Sequence, residues 1–161
     1  MNTWHRFGSF LLPLLALAAP AAGGDPTGLW WAEGGAAQVE IRHCDESLCG
    51  RVVWLRSPLD EHGCALRDVH NPDHALRERE VVGIELLSGL RPSRHRPNEW
   101  SEGSVYDPGS GRTFRAILIV EGPDRLLLRG YFGLRLLGRT TRWFRVGGED
   151  QCRDVAGESS T

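Results

Sequence analysis

Lysine is absent from this 161-residue chain: all 19 basic side chains are arginine. One account of that bias is anion recognition by guanidinium forks; the plainer one, an arginine-biased genome, carries more weight. A basic excess is also missing. Against 21 acidic residues the formal charge is −2, which argues against nucleic acid as the main partner. The chain has no internal repeat, no low-complexity tract, no Gly-x-Ser-x-Gly elbow, no Cys-x-x-Cys pair and no calcium-loop spacing. With none of these present, no catalytic constellation is recognised. The expectation is a protein that is not an enzyme and needs no cofactor or metal.

Long apolar runs are scarce too. The stretch from Phe7 to Ala22 carries no charge, follows Trp4-His5-Arg6 and ends in the small residues Ala19-Pro20-Ala21. It is short against the roughly 20 apolar residues of a membrane span, and Pro13 and Pro20 interrupt it. Residues 1–21 therefore read as a secretory signal peptide. No cysteine marks the cleavage region as a lipid-anchor site, and no stable membrane insertion is expected after cleavage. The remaining chain carries 18 basic against 21 acidic residues, a charge of −3. Its size suits one domain over residues 22–152, with a flexible tail over 153–161. The expected location is periplasmic or secreted.

Four cysteines in an exported chain read first as disulfides, in any of three connectivities. In "HCDESLCGR" (43–51) a metal site is disfavoured. The spacing is Cys-x4-Cys with no second compact pair, and neighbouring strand residues such as His43 and Cys44 point to opposite faces. A clip between Cys44 and Cys49 across a hairpin fits better, with Asp45–Leu48 as a four-residue turn. That leaves Cys64 and Cys152. By loop entropy the small ring contributes about 2 kcal/mol, and a Cys64–Cys152 ring about 4.6 kcal/mol.

The mature sequence consists of short alternating stretches separated by turn residues. Strands are predicted over 28–35, 37–44, 49–56, 81–90, 99–107, 112–121, 125–133 and 139–146, with turns such as Asp107-Pro108-Gly109 and Gly122-Pro123-Asp124 between them. Hairpin-length links and this count predict an all-β, antiparallel up-and-down barrel of about eight strands. One segment, 57–80, is too long for a hairpin link. It contains Asn71-Pro72-Asp73 as the start of a short helix over His74–Arg79. Its cluster of Asp60, Glu61, His62, Asp68, His70, Asp73 and His74 reads as capping residues of a solvated lid rather than a metal or acid–base site.

Several motifs lie in order over residues 25–146: "DPTGLWW", "CGRVVWL", the Asn71-Pro72-Asp73 region through "LSGL", "EGSVYDP", "LRGY" and "LLGRT". Together they resemble DUF2147, a family of exported bacterial proteins of unknown function. The resemblance implies a lipocalin-like barrel of the calycin type and little about activity. This chain departs from the family pattern at Glu80, where proline is usual, and near Arg142 and Phe144, where small polar residues are usual. Cys64 is also atypical. Gly28-Leu29-Trp30 resembles the Gly-x-Trp signature that opens lipocalin barrels. The resemblance implies that Trp30 closes one barrel end under a late-strand arginine, with Arg139 and Arg145 as candidates and Arg145 preferred.

Aromatic residues fall on separate predicted strands, so several are expected to meet inside the barrel. The candidate ligand-lining set is Trp54, Tyr106, Phe114, Tyr131, Arg139 and Trp143, in which an inward arginine would pair an anionic head. The functional expectation is non-covalent binding of a small hydrophobic or amphipathic molecule. Its rival is a filled barrel acting through protein contacts at its surface. A third reading, catalysis by the long-loop histidines, ranks last.

Overall fold

The computed structural model describes residues 24–148; the segment 1–21, Cys152 and the tail 153–161 lie outside them. Eight strands form among the described residues. They are β1 (Gly28–Trp31), β2 (Ala37–Cys44), β3 (Ser47–Leu55), β4 (Glu85–Pro92), β5 (Glu99–Asp107), β6 (Arg112–Val120), β7 (Arg125–Tyr131) and β8 (Arg139–Arg145). Each pairs antiparallel with the next, and β8 returns to β1, giving a closed up-and-down barrel. Period-two alternation sets the wall. Val39 and Ile41 are buried to 0% and 1% exposure, whereas Glu40 and Arg42 between and beside them face water.

The local departures from sequence expectation have identifiable causes. Residues 81–84, predicted as strand, form the turn that ends the long loop. There Gly83 N donates to Val52 O at 2.7 Å and Val52 N donates to Ile84 O at 3.0 Å, so the turn borrows the edge of β3 before β4 begins. The β2–β3 turn contains two residues, not four: Cys44 stands opposite Ser47 and Cys49 opposite Arg42. Cys44 and Cys49 thus meet diagonally, at a Cα separation of 5.8 Å, and are joined by a disulfide. The helix expected over His74–Arg79 is one 3₁₀ turn at His74–Leu76, capped by Asp73, whose Oδ1 accepts from Ala75 N at 2.9 Å. Pro72 precedes the cap instead of sitting in the first turn. So short a segment cannot offset the cost of nucleating an α-helix.

The lumen is occupied by side chains. Trp30, Val39, Ile41, Leu48, Leu87, Leu90, Ala116, Leu118, Val120, Leu126, Leu128 and Trp143 pack into one buried cluster, contributed by every strand but β5. Strand β5 adds Trp100 and Val105 at its margins. At one end Pro26 is fully buried and Gly24 lies against Val120, so the segment before β1 crosses and covers the opening. Small barrels of eight strands are just wide enough for such filling.

Trp143, 3% exposed, belongs to this cluster. Its truncation to alanine is expected to cost about 3–5 kcal/mol in a urea titration. A loss below about 1 kcal/mol would show that the indole borders open space instead of packed neighbours.

Candidate functional site

The six residues expected to line a cavity do not converge. Trp54 shares parity with the inward Leu48, Gly50 and Val52. However, the β2–β3 register slips between the pairs Gln38–Trp54 and Val39–Val52, leaving Val53 as an extra residue. A bulge of this kind reverses the faces beyond it. Trp54 consequently lies on the outer wall, 40% exposed, edge-on to Trp31 with ring centroids 5.3 Å apart. Tyr106 and Tyr131 are also on the outer side, one step out of phase with the inward Val105 and with Leu126 and Leu128. Phe114 shares parity with the inward Ala116, Leu118 and Val120 and pairs with Val105. Trp143 is inside but is part of the packed core. Arg139 sits at the barrel rim with its side chain 81% exposed, and its Nη2 donates to Glu33 Oε2 at 2.6 Å.

The structure places Trp30 and Arg145 together at the covered end. The Arg145 guanidinium lies 4.2 Å from the Trp30 ring centroid, within cation–π range. It also donates to three carbonyls: Nε to Pro123 O at 2.6 Å, Nη1 to Thr27 O at 2.8 Å and Nη2 to Asp25 O at 3.2 Å. Trp30 Nε1 donates to Pro26 O at 2.8 Å. Gly28 makes this possible. Its φ of 118° suits glycine, and a Cβ there would fall 2.6 Å from Arg145 Nη1.

Tyr106 anchors the long loop. Its hydroxyl donates to Asp68 Oδ1 at 2.6 Å, while Asp68 Oδ2 accepts from Asn71 Nδ2 at 2.7 Å and Arg79 Nη2 at 2.8 Å. Asp68 is fully buried. Burial pushes its carboxyl pKa up, but the hydrogen bonds from Tyr106, Asn71 and Arg79 outweigh it and hold the group below its ordinary range. Burial, reinforced by Asp68, pushes the Tyr106 hydroxyl up. The loop then crosses the β5–β6 turn so closely that a Cβ on Gly111 would overlap His70 O at 1.8 Å. Asp60 and Asp73 cap turns within the loop. Among the described residues no three His, Cys, Asp or Glu side chains gather as a metal site requires. Cys64 is exposed in the same loop, and its expected partner Cys152 lies outside the described residues.

The outer wall of β5–β7 carries features that sequence reasoning missed. The β7–β8 link, residues 132–138, folds back over the strands, and beneath it runs an open groove of about 390 Å³. Ile117, Ile119 and Leu136 form its apolar lining, with Arg96, Arg129 and Arg135 among its polar residues. Glu99, 6% exposed, anchors the arginines: Oε1 accepts from Arg135 Nη2 at 2.7 Å and Oε2 from Arg96 Nη1 at 3.2 Å. Burial raises the Glu99 pKa, but Arg135 and Arg96 bring it below its ordinary value. A second hollow of about 340 Å³ lies alongside, bordered by Ser101, Glu102, Gly103, Arg115 and Tyr131. The signal in the sequence was "GLRLLG" (133–138), two glycines bracketing leucines where a strand was read to run on to residue 133.

A closed eight-strand meander, filled inside and plugged by a tryptophan under an arginine, is a lipocalin-like barrel. The chain belongs to DUF2147, described as an uncharacterised protein conserved in bacteria, whose family model matches residues 28–145. No curated protein matches it. Among solved structures it is similar to a Helicobacter pylori protein described as belonging to the lipocalin family. The two are 17% identical, with a TM-score of 0.66 over 83% of this chain and 90% of that one. At that identity the likeness shows the fold alone. The bacterial family and the Cys44–Cys49 disulfide are compatible with an exported protein.

Because the folded-state pKa values of Asp68 and Glu99 are depressed, their stabilisation is complete above the ordinary carboxylate range. It is lost as pH falls through the lower folded values. The melting temperature is therefore expected to fall as the pH is lowered below about 4. An Asp68→Asn variant should start lower and show a shallower fall; an equally steep one would remove Asp68 from the acid response. At neutral pH, Asp68→Ala is expected to cost about 2–3 kcal/mol by stranding its donors.

Proposed function

We propose that this protein is an exported, non-enzymatic binding protein that acts through its outer surface, with the barrel as a filled scaffold. The observation that carries the reading is the lumenal cluster running from Trp30 to Trp143 without leaving its members exposed. Three of the residues expected to receive a ligand inside, Trp54, Tyr106 and Tyr131, turn outward instead. A periplasmic or secreted location follows from the uncharged segment 7–22 and agrees with the disulfide. The active face on this reading is the β5–β7 wall with the turn at 132–138, where apolar and arginine side chains lie side by side.

The groove beneath that turn favours a second reading, a single amphipathic anion held on the wall. Its volume, about 390 Å³, falls in the usual range for small-molecule sites. Ile117, Ile119 and Leu136 suit an acyl chain, and Arg129 and Arg135 suit its charged head.

Native mass spectrometry of the purified mature protein is expected to show no retained mass that organic extraction releases. A retained lipid that disappears on Trp143→Leu would place cargo in the lumen and overturn the surface reading. For the groove, Ile119→Asn is expected to weaken a titrated fluorescent fatty acid by about tenfold, the worth of roughly 1.4 kcal/mol of lost apolar contact. Unchanged affinity would exclude that site.

A further inference from the structure

The turn between β7 and β8 displays apolar groups where a loop ordinarily displays polar ones. Phe132, Leu134, Leu136 and Leu137 are 80%, 69%, 87% and 76% exposed, while the next most exposed large hydrophobic among the described residues, Val69, reaches 57%. Scattered exposed leucines need no explanation, but four in one seven-residue link form a patch.

The turn is held firmly in this pose. Leu137 N donates to Leu134 O at 3.1 Å. Arg129 reaches up from β7, its Nε donating to Arg135 O at 2.9 Å and its Nη2 to Leu136 O at 3.0 Å. Arg135 pairs with the buried Glu99. The polar groups of the link are spent on the barrel wall; Phe132, Leu134 and Leu137 are turned outward, and Leu136, though exposed, also borders the groove.

Charge and size indicate what meets them. The link and its flanking strand ends, residues 129–142, contain four arginines and no acidic residue, in a chain whose overall charge is −2. Around the base of the turn Arg129, Arg135 and Arg139 outnumber the carboxylates Glu33 and Glu99 that answer them. A stable protein interface takes roughly 20–30 residues a side, several times what this tip offers. A bilayer surface requires only that a few apolar side chains reach the acyl boundary while cations meet phosphate.

We propose that the 132–138 turn docks the protein on a bilayer bearing anionic phospholipid. Phe132, Leu134, Leu136 and Leu137 enter the headgroup–acyl boundary, and Arg139, 81% exposed at the rim, meets the phosphates. This rests on the outer-surface reading above and names its partner.

The test is flotation of the purified mature protein with vesicles of phosphatidylglycerol and phosphatidylethanolamine, against vesicles of phosphatidylcholine alone. At least tenfold stronger association with the anionic vesicles is expected. It should fall tenfold or more with Leu134→Ser plus Leu137→Ser, whose exposed positions outside the groove leave the melting temperature unchanged. Wild-type protein that stays unbound, or a double variant that floats as well as wild type, overturns the proposal. Light scattering separates the failures. A wild-type dimer that the double variant lacks would replace the bilayer with a second copy and leave the surface reading standing. Uptake of a fluorescent lipid into a quencher-protected lumen, unaffected by the double variant, would sink both.

Discussion

The barrel depends on one guanidinium. Strand β1 meets β8 through two residue pairs, Trp30–Arg145 and Trp31–Phe144, whereas β6 and β7 share six. A seam this short supplies little ladder bonding, so Arg145 does what missing backbone pairs would do elsewhere. Its fork gathers carbonyls from the segment before β1 and from the β6–β7 turn while its face covers Trp30. Arginine suits the position because its planar group stacks and donates in several directions at once. A lysine would keep the charge and lose that geometry.

Closure at one end leaves the rest of the molecule free to vary outward. Inside, twelve residues share one packed volume, and any change of shape is felt by neighbours. Outside, each long link has its own polar fastening: Asp68 with Tyr106 and Arg79 for residues 57–80, Glu99 with Arg135 for residues 132–138. Both carboxylates are buried and both receive arginine, a pairing that avoids an uncompensated buried charge. The two links decorate a common wall without contributing to the lumen. This explains how an ordinary core coexists with an atypical surface.

How much was legible in the sequence follows from how strand faces are assigned. The strand count and the order of pairing were readable from alternation and turn residues, whereas the Trp30–Arg145 plug was readable only through the resemblance of Gly28-Leu29-Trp30 to the signature that opens lipocalin barrels. Trp54 was misplaced because a single extra residue, Val53, reverses every face beyond it, and nothing in "GRVVWLR" marks a bulge. Tyr106 and Tyr131 were taken as lumenal because aromatic residues on separate strands were expected to meet inside a small barrel. Their own parity, read against Val105 and Leu128, puts them outside. The Cys44–Cys49 bridge was readable from export and spacing, though its diagonal register was not, since a two-residue turn and a four-residue turn are equally compatible with "DESL". The apolar turn at 132–138 was absorbed into the strand before it, where leucine and phenylalanine raise no question.

The seam has a kinetic consequence. Arg145 and Thr27, whose groups it joins, stand 118 residues apart. Every other strand pairing is between sequence neighbours, by short turns except for the 56–84 segment between β3 and β4, but this one waits for the whole domain. A nascent chain therefore carries an open, curling sheet with β1 unpaired along one edge until residue 145 has emerged. Loop-closure entropy makes that single distant contact the costliest pairing of the barrel to bring together.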